Sequence, residues 1–332
     1  RLLAPTMHPR GIKEMAATRG LRIAYAVMAL FRSLERGQAG ERLSCLRALH
    51  EETLASAHTH LRMNTARVLL SIMKEMVREA DETARLKLAR AFRMAAAGKP
   101  RVIAAQMTKY HLVEMPEAWN QLAFDDHVHD ANTKGRKSAT HLIMDAWIKG
   151  IRRLTVIYYN YVTKEIAEEL LEAAEIMGMN VRIGIEFSPR FRDRYLKLIL
   201  GSRENTDTQE YLRFLADPQV AAFMAEGQKV SRYHQRYVLR VFESFNGVHR
   251  LALNERFGIR LEALDREAFL ASIGMGQASL LHLGKFIHDE LQPLFEERAQ
   301  HLAAYCALPG TPERLALDAV VRDMNELTHE SV

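Results

Sequence analysis

The sequence has little of several residues and motifs that mark common classes of protein. It contains two cysteines, Cys45 and Cys306, and neither belongs to a Cys-x-x-Cys pair or a Cys/His cluster. This argues against a disulfide-stabilised secreted domain and a zinc finger, and we expect two reduced thiols in a cytoplasmic protein. No apolar run approaches the roughly 20 residues that span a bilayer, so we predict no membrane segment. A Gly-rich dinucleotide motif and a Gly-x-Ser-x-Gly turn are also missing.

What is present is an ordinary globular composition with a slight excess of positive charge. Of the 332 residues, 48% are hydrophobic and 26% are charged, which is enough for one large core or two smaller ones. The formal net charge of +5 permits an acidic or phosphate-bearing partner without requiring one. Because the first residue is Arg rather than Met, we expect a piece of a longer chain, and a homo-oligomer is an alternative.

The hydrophobic pattern changes twice along the chain. Apolar residues recur at spacings of three and four over most of residues 1–118, which is typical of helices. Residues 119–201 alternate short β-branched runs with helical stretches, and residues 202–332 return to the helical pattern. The sequence therefore predicts a mainly α protein with an α/β segment. We expect a helical N-terminal bundle, a short parallel βαβαβ barrel-like core, and a helical C-terminal region that packs on this core.

The predicted strands of the central region end in polar residues. These strands cover about 122–129, 154–159 and 181–187, with a possible fourth at 195–200. Helical crossovers of this length make the strands parallel, so their carboxyl ends meet at one edge of the sheet. Ligands bind at that edge in folds of this kind. We therefore expect a site built from the residues near 127–130, 158–160 and 186–188.

Two histidines at the end of the first predicted strand carry the clearest chemical signal. His127 and His129 are separated by one residue, so both imidazoles lie on the same side of a strand. Two imidazoles at this spacing can bind one metal ion, and neighbouring carboxylates can orient the rings. Asp126 and Asp130 flank the pair.

Residues 124–130, FDDHVHD, resemble the first-strand motif of the polymerase and histidinol phosphatase (PHP) family of metal-dependent phosphoesterases. They are also similar to the wider amidohydrolase group that includes adenosine deaminase. Residues 184–186, Gly-Ile-Glu, match the third-strand Gly-x-Glu of the PHP family, whereas residues 158–160 read Tyr-Tyr-Asn where that family has Thr-Asp-His. The resemblance covers about residues 121–200, so we expect a remnant of three or four strands rather than a complete barrel.

The resemblance implies a metal site formed by His127, His129 and Glu186. Two histidines and a carboxylate suit a divalent Zn, Mn or Fe ion with open coordination positions. Such an ion activates a bound water for hydrolysis, and Asp126 or Asp130 would then act as the general base.

Basic and polar residues around this motif predict an anionic, phosphorylated small-molecule substrate. Lys134, Arg136 and Lys137 lie in a loop that opens a predicted helix, and helix N-termini attract anions. Asn160 ends the second predicted strand and Arg190 follows the third, so we expect both to contact the substrate.

Three interpretations of function follow. The first is a metal-dependent hydrolase, with a phosphoester as substrate. It requires the side chains of His127, His129 and Glu186 to lie within about 5 Å of one point that solvent reaches. The second is a non-catalytic helical interaction module with a degenerate hydrolase core, which predicts exposed apolar patches. The third is nucleic-acid binding by the basic residues of 85–109, which we do not favour because such a pattern is commonly a solvated helix face.

Overall fold

The structure of this protein is a computed structural model that describes residues 16–55, 62–112, 123–135, 137–201, 207–273, 276–304 and 312–328. The chain divides into two compact units, Arg1–Ala225 and Glu226–Val332. The predicted class, mainly α with an α/β segment, is confirmed. Among the described residues, no helix is both long enough and apolar enough to cross a lipid bilayer.

The described part of the first unit begins with helices and continues with a sheet and its crossover helices. The helices before the sheet are α1 (Arg19–Arg36), α2 (Ala39–His50), α3 (Arg62–Arg78), α4 (Glu82–Ala96) and α5 (Pro100–Lys109), with a π-helical turn at Glu51–Ala55. The α/β segment consists of β1 (Ala123–Val128), α6 (Ala139–Ile148), β2 (Ile151–Tyr159), α7 (Lys164–Met177), β3 (Asn180–Phe187), β4 (Arg190–Phe191), β5 (Arg194–Tyr195) and β6 (Leu198–Gly201). The next helices are α8 (Thr208–Ala216) and α9 (Pro218–Ser244).

The crossover helices begin and end where their sequences contain capping residues. Ser138 accepts a hydrogen bond from the backbone of His141 at the start of α6. Thr163 does the same for Ile166 at the start of α7, and Gly178 ends that helix with a φ of 64°. A left-handed residue at this position is the usual helix stop, and glycine adopts it without strain. Thr163 and Gly178 therefore set the two ends of α7.

The sheet has the strand order β1-β2-β3-β6 and curls into a half-barrel. The first three strands are parallel, as the crossovers predict, whereas β6 runs antiparallel to β3. The antiparallel return follows from the short connection, because residues 188–197 form only the β4–β5 hairpin and not a crossover helix.

One face of the sheet packs on the helices, and both share a single hydrophobic core. Val156, Tyr158 and Ile183 belong to the same buried cluster as Leu30 of α1 and Leu69 of α3. The helices before residue 118 and the α/β segment therefore form one unit. On the other face of the sheet, Ile157, Ile199 and Thr155 surround Gly184.

The second unit is helical throughout its described residues. After the C-terminal part of α9 come a π-helical turn at Phe245–His249, then α10 (Arg250–Phe257), α11 (Arg266–Ile273), α12 (Leu280–Ala304) and α13 (Pro312–Glu326). Its core includes Phe242, Phe269 and Leu291. Asn246 and Gly247 lie in the π-helical turn, where an inserted residue widens one turn of the helix.

Candidate functional site

A β-bulge at the end of β1 sets the direction of the motif side chains. Asp125 pairs with Leu154 and Val128 pairs with Val156, so β1 advances three residues where β2 advances two. The extra residue re-aims its neighbours, as bulges next to binding sites commonly do. His127 therefore lies on the concave face, beside His129.

The two histidines of the motif face each other at the carboxyl edge of the sheet. Their ring centroids are 5.1 Å apart and their planes are inclined by 72°. Nε2 of His127 lies 4.0 Å from Oε2 of Glu186, and the His127 side chain is 49% exposed. The structure thus brings together the three residues predicted as metal ligands, on a face that solvent reaches from the side of His127.

The hydrogen bonds of His129 determine which of its nitrogens can bind a ligand. Nδ1 lies 2.9 Å from the carbonyl oxygen of Ile157, which can only accept, so Nδ1 carries the proton and donates. Nε2 keeps its lone pair, is buried, and has no hydrogen-bond partner among the described residues. Burial and the nearby Lys134 ammonium lower the pKa of His129, which favours this neutral form.

Glu186 is a nearly buried carboxylate that is already paired with a cation. Its side chain is 8% exposed, and Oε1 accepts from Nζ of Lys197 at 2.8 Å. The interaction raises the pKa of Lys197. Lys197 was not among the predicted site residues, because it comes close to Glu186 only through the antiparallel pairing of β6 with β3. A predicted hairpin between β3 and β6 would have placed Lys197 near Glu186.

Polar groups from β2 and the loop after β1 surround the histidines. The Tyr159 ring lies 5.1 Å from the His129 ring, and Nζ of Lys134 lies 5.7 Å from the centre of the Tyr159 ring. Asp126 is exposed and accepts a hydrogen bond from Thr155 at 3.2 Å. Asp126 thus adds a carboxylate, and Lys134 adds a cation, to the three predicted metal ligands.

Asn160 joins the ends of β2 and β3. Its φ of 64° lies in the left-handed region, which Asn tolerates better than most residues, and its N–H donates to the carbonyl oxygen of Glu186 at 2.8 Å. The residue at this predicted site position therefore also fixes the backbone that carries Glu186.

Asp130 does not face the site. It is completely buried and accepts hydrogen bonds from the Tyr158 hydroxyl at 2.7 Å and from the side chain and backbone of Asn132 at 3.0 and 2.9 Å. Burial raises its pKa despite these hydrogen bonds. A carboxylate held this way cannot reach a substrate, so its observed role is to hold the loop that follows β1.

The basic residues predicted to bind substrate separate into different places. Lys134 lies beside Tyr159, but Lys137 pairs closely with Asp145 on α6, which Lys74 of α3 also contacts at 2.9 Å. Arg190 pairs with Asp193 at 2.6 Å on the exposed β4–β5 hairpin. Arg136 lies outside the described residues. Of the basic residues in this set that the structure describes, only Lys134 lies next to the histidines.

Comparison of the chain with protein-family models, with curated proteins and with solved structures finds no match. Any assignment of function therefore depends on the geometry of the site itself.

The described residues contain no group of three His, Cys, Asp or Glu side chains already spaced as a metal site. Two ligand atoms about 2.1 Å from a tetrahedral ion lie about 3.4 Å apart, whereas Nε2 of His127 and Oε2 of Glu186 are 4.0 Å apart. The donor atoms fit a divalent ion, because His129 offers a buried, unpartnered lone pair with its other nitrogen anchored on a carbonyl group.

Proposed function

We propose that the protein is a metal-dependent hydrolase and that its site lies at the carboxyl edge of β1, β2 and β3. The observation that carries this proposal is the buried Nε2 of His129, which has no partner among the described residues. A buried nitrogen acceptor without a hydrogen bond is costly, and a bound cation removes that cost. The resemblance to the PHP phosphoesterases points in the same direction.

His127, His129 and Glu186 would hold the ion, either Zn, Mn or Fe. Such an ion lowers the pKa of a bound water and polarises a phosphoryl or carbonyl oxygen. Ile157 keeps the His129 ring in the tautomer that a ligand needs, because its carbonyl oxygen occupies Nδ1. The β-bulge places His127 on the same side.

Asp126 is the proposed acid–base residue. It is the exposed carboxylate of the motif, and the Thr155 hydroxyl orients it from the neighbouring strand. In this role it accepts a proton from the attacking water and returns it to the leaving oxygen, so that no net proton remains on the protein.

A phosphoester is the substrate class that suits the surrounding charges. Lys134 and Lys197 present two ammonium groups near the histidines, and phosphate is an anion that lysine binds well. The proposed partner is therefore a small phosphorylated molecule. In keeping with the two isolated cysteines, we propose a cytoplasmic location.

The test is metal binding by the purified protein, measured by elemental mass spectrometry after incubation with Zn, Mn or Fe. We expect near-stoichiometric metal in the native chain and its loss in His127→Ala/His129→Ala. His234→Ala is the control, because His234 is an exposed histidine of the second unit. Absence of bound metal from the native chain under all three conditions would contradict the proposal. Hydrolysis of phosphomonoesters and phosphodiesters by the loaded protein is the second measurement.

A non-catalytic interaction module is the second candidate. One observation favours it: large apolar side chains are exposed along the hairpin and β6, namely Phe191 at 55%, Tyr195 at 75%, Leu198 at 45% and Leu200 at 47%. Apolar groups clustered in this way commonly mark an interaction surface. A protein of this class would bind no metal, so the same measurement separates the two candidates.

A further inference from the structure

A stripe of basic and tyrosine side chains runs along α9 in the second unit. We name it the Arg–Tyr stripe and define it as Lys229, Arg232, Tyr233, Arg236, Tyr237 and Arg240. At 3.6 residues per turn, its four basic residues fall within an arc of about 80°, and the tyrosines widen the arc to about 140°. All six residues are exposed, with Tyr233 at 62% and Tyr237 at 51%.

Packing of α9 against the core of the second unit keeps this stripe on the solvent-exposed side of the helix. Val238 and Phe242 lie on the opposite side of the same helix, and Leu239 lies at the edge of the stripe next to Arg232; all three are buried in that core. Rotation of α9 would expose them, so the direction of the stripe is fixed by packing.

Among the described residues, none of the three guanidinium groups of the stripe forms an ion pair. Lys229 pairs with Glu226 at 2.5 Å, and Glu243, three residues after Arg240, lies 3.9 Å from Arg266. Arg232 and Arg236 have no acid three or four residues away on the helix, whereas a solvated helix face usually carries acids at these spacings.

The α4 helix shows the ordinary arrangement for comparison. Its exposed basic residues Arg85, Lys87, Arg90 and Arg93 are spread over about 200° of the helix. These four residues do not form one face, so this helix gives no support to the nucleic-acid interpretation of residues 85–109. The Arg–Tyr stripe differs in both its alignment and its exposed aromatic rings.

We propose that the Arg–Tyr stripe binds single-stranded nucleic acid. Free guanidinium groups attract phosphates, and exposed tyrosine rings are the platforms on which unpaired bases stack. Successive arginines, and the two tyrosines, are each about 6 Å apart along the helix axis. Duplex DNA or RNA keeps its bases stacked inside, so it would leave the tyrosines unused. From Lys229 to Arg240 the stripe is about 16 Å long.

This inference is independent of the proposed hydrolase function, because it concerns residues of the second unit alone. Its test is fluorescence anisotropy of the full chain with labelled ten-nucleotide single strands of DNA and RNA, at 50 and 200 mM salt. The same sequence as a duplex is the competing ligand. We expect tighter binding of the single strand, and affinity that falls as salt rises.

Two sets of variants separate charge from stacking. Arg232→Gln/Arg236→Gln/Arg240→Gln is expected to weaken binding at least tenfold. It should also reduce the magnitude of the slope of log K against log salt by about two, since each phosphate contact on a single strand contributes about 0.7 to that slope. Tyr233→Ala and Tyr237→Ala are each expected to weaken binding at least fivefold with an unchanged salt slope. Phe at either position should retain binding, because the ring remains.

Arg85→Gln/Lys87→Gln/Arg90→Gln is the matched control, because it removes the same charge from an exposed helix of the first unit. Circular dichroism melting checks that every variant is folded. The proposal is overturned if the control weakens binding as much as the stripe variant, if the tyrosine variants bind normally, or if the duplex binds more tightly. It is also overturned if the native chain binds neither single strand at 50 mM salt.

Discussion

Removal of the Arg42 guanidinium tests whether the N-terminal helices and the α/β segment fold as one unit. Arg42 lies on α2 and donates to Glu169 on α7, from Nε at 2.8 Å and from Nη2 at 2.7 Å. The two side chains are 6% and 5% exposed, so water cannot replace a lost partner. Arg42→Met leaves a buried carboxylate with hydrogen bonds from Thr140 alone. We expect the free energy of unfolding of the first unit to fall by about 3–5 kcal/mol.

Tryptophan fluorescence during chemical denaturation measures this change, because Trp147 is buried in the first unit and residues 226–332 contain no tryptophan. Arg47→Met is the control. Arg47 lies on the same helix and pairs with Glu172 at 2.7 Å, but their side chains are 44% and 30% exposed, so we expect a loss of less than about 1 kcal/mol. Equal losses in the two variants would refute the reasoning.

A double variant and a pH series extend the test. Arg42→Met/Glu169→Met should regain most of the lost stability, because no buried charge remains. Burial raises the pKa of Glu169, but the hydrogen bonds from Arg42 and Thr140 outweigh it and hold the pKa below its usual 4.5. The stabilisation is therefore complete above pH 4.5 and is lost as the pH falls through the lowered folded-state pKa. The native chain should lose stability in acid more steeply than Glu169→Gln.

Three further predictions concern the site. Lys197→Met should raise the affinity for Zn or Mn about two- to fivefold, because the ion then has no ammonium group to displace from Glu186. Calorimetric titration measures this affinity, and an unchanged value would contradict the prediction. Gly135→Ala should destabilise the first unit by about 1–3 kcal/mol, since a Cβ there would lie 2.2 Å from the carbonyl oxygen of His129; an unchanged melting temperature would contradict this. Tyr158→Phe should cost about 1.5–3 kcal/mol in denaturation experiments by removing a donor from the buried Asp130 carboxylate, and a loss below 0.5 kcal/mol would contradict it.

Local patterns in the sequence account for much of the α/β segment. Thr163 and Gly178 mark the ends of α7 through capping chemistry that involves only neighbouring residues. The parallel order of β1, β2 and β3 follows from the helical crossovers, and the meeting of His127, His129 and Glu186 follows from that order. Each of these inferences needs only the local sequence pattern and the right-handedness of the crossover connections between parallel strands.

Contacts between distant residues explain what the sequence did not reveal. The pairing of Arg42 with Glu169 spans 127 residues, and no local pattern predicts it. Asp130 lies just past the end of β1, where a turn sends its side chain towards Tyr158 rather than towards the histidines. Lys134 and Lys137 are three residues apart in the same loop, yet Lys134 lies beside Tyr159 and Lys137 pairs with Asp145. Side-chain direction in loops depends on packing that only the folded chain provides.

The ion pair between Lys197 and Glu186 bears on the stability of the protein when metal is scarce. Many small metal-binding domains unfold when the ion leaves, because the free energy of metal binding supplies much of their folding free energy. Here Lys197, in the connection between β5 and β6, already balances the charge of Glu186. Under the proposed metal-dependent function, loss of the ion would leave Glu186 paired with Lys197, so we expect the protein to stay folded while the site is inactive. A reserve of folded, inactive protein could persist through metal starvation and regain activity on resupply, with no new synthesis.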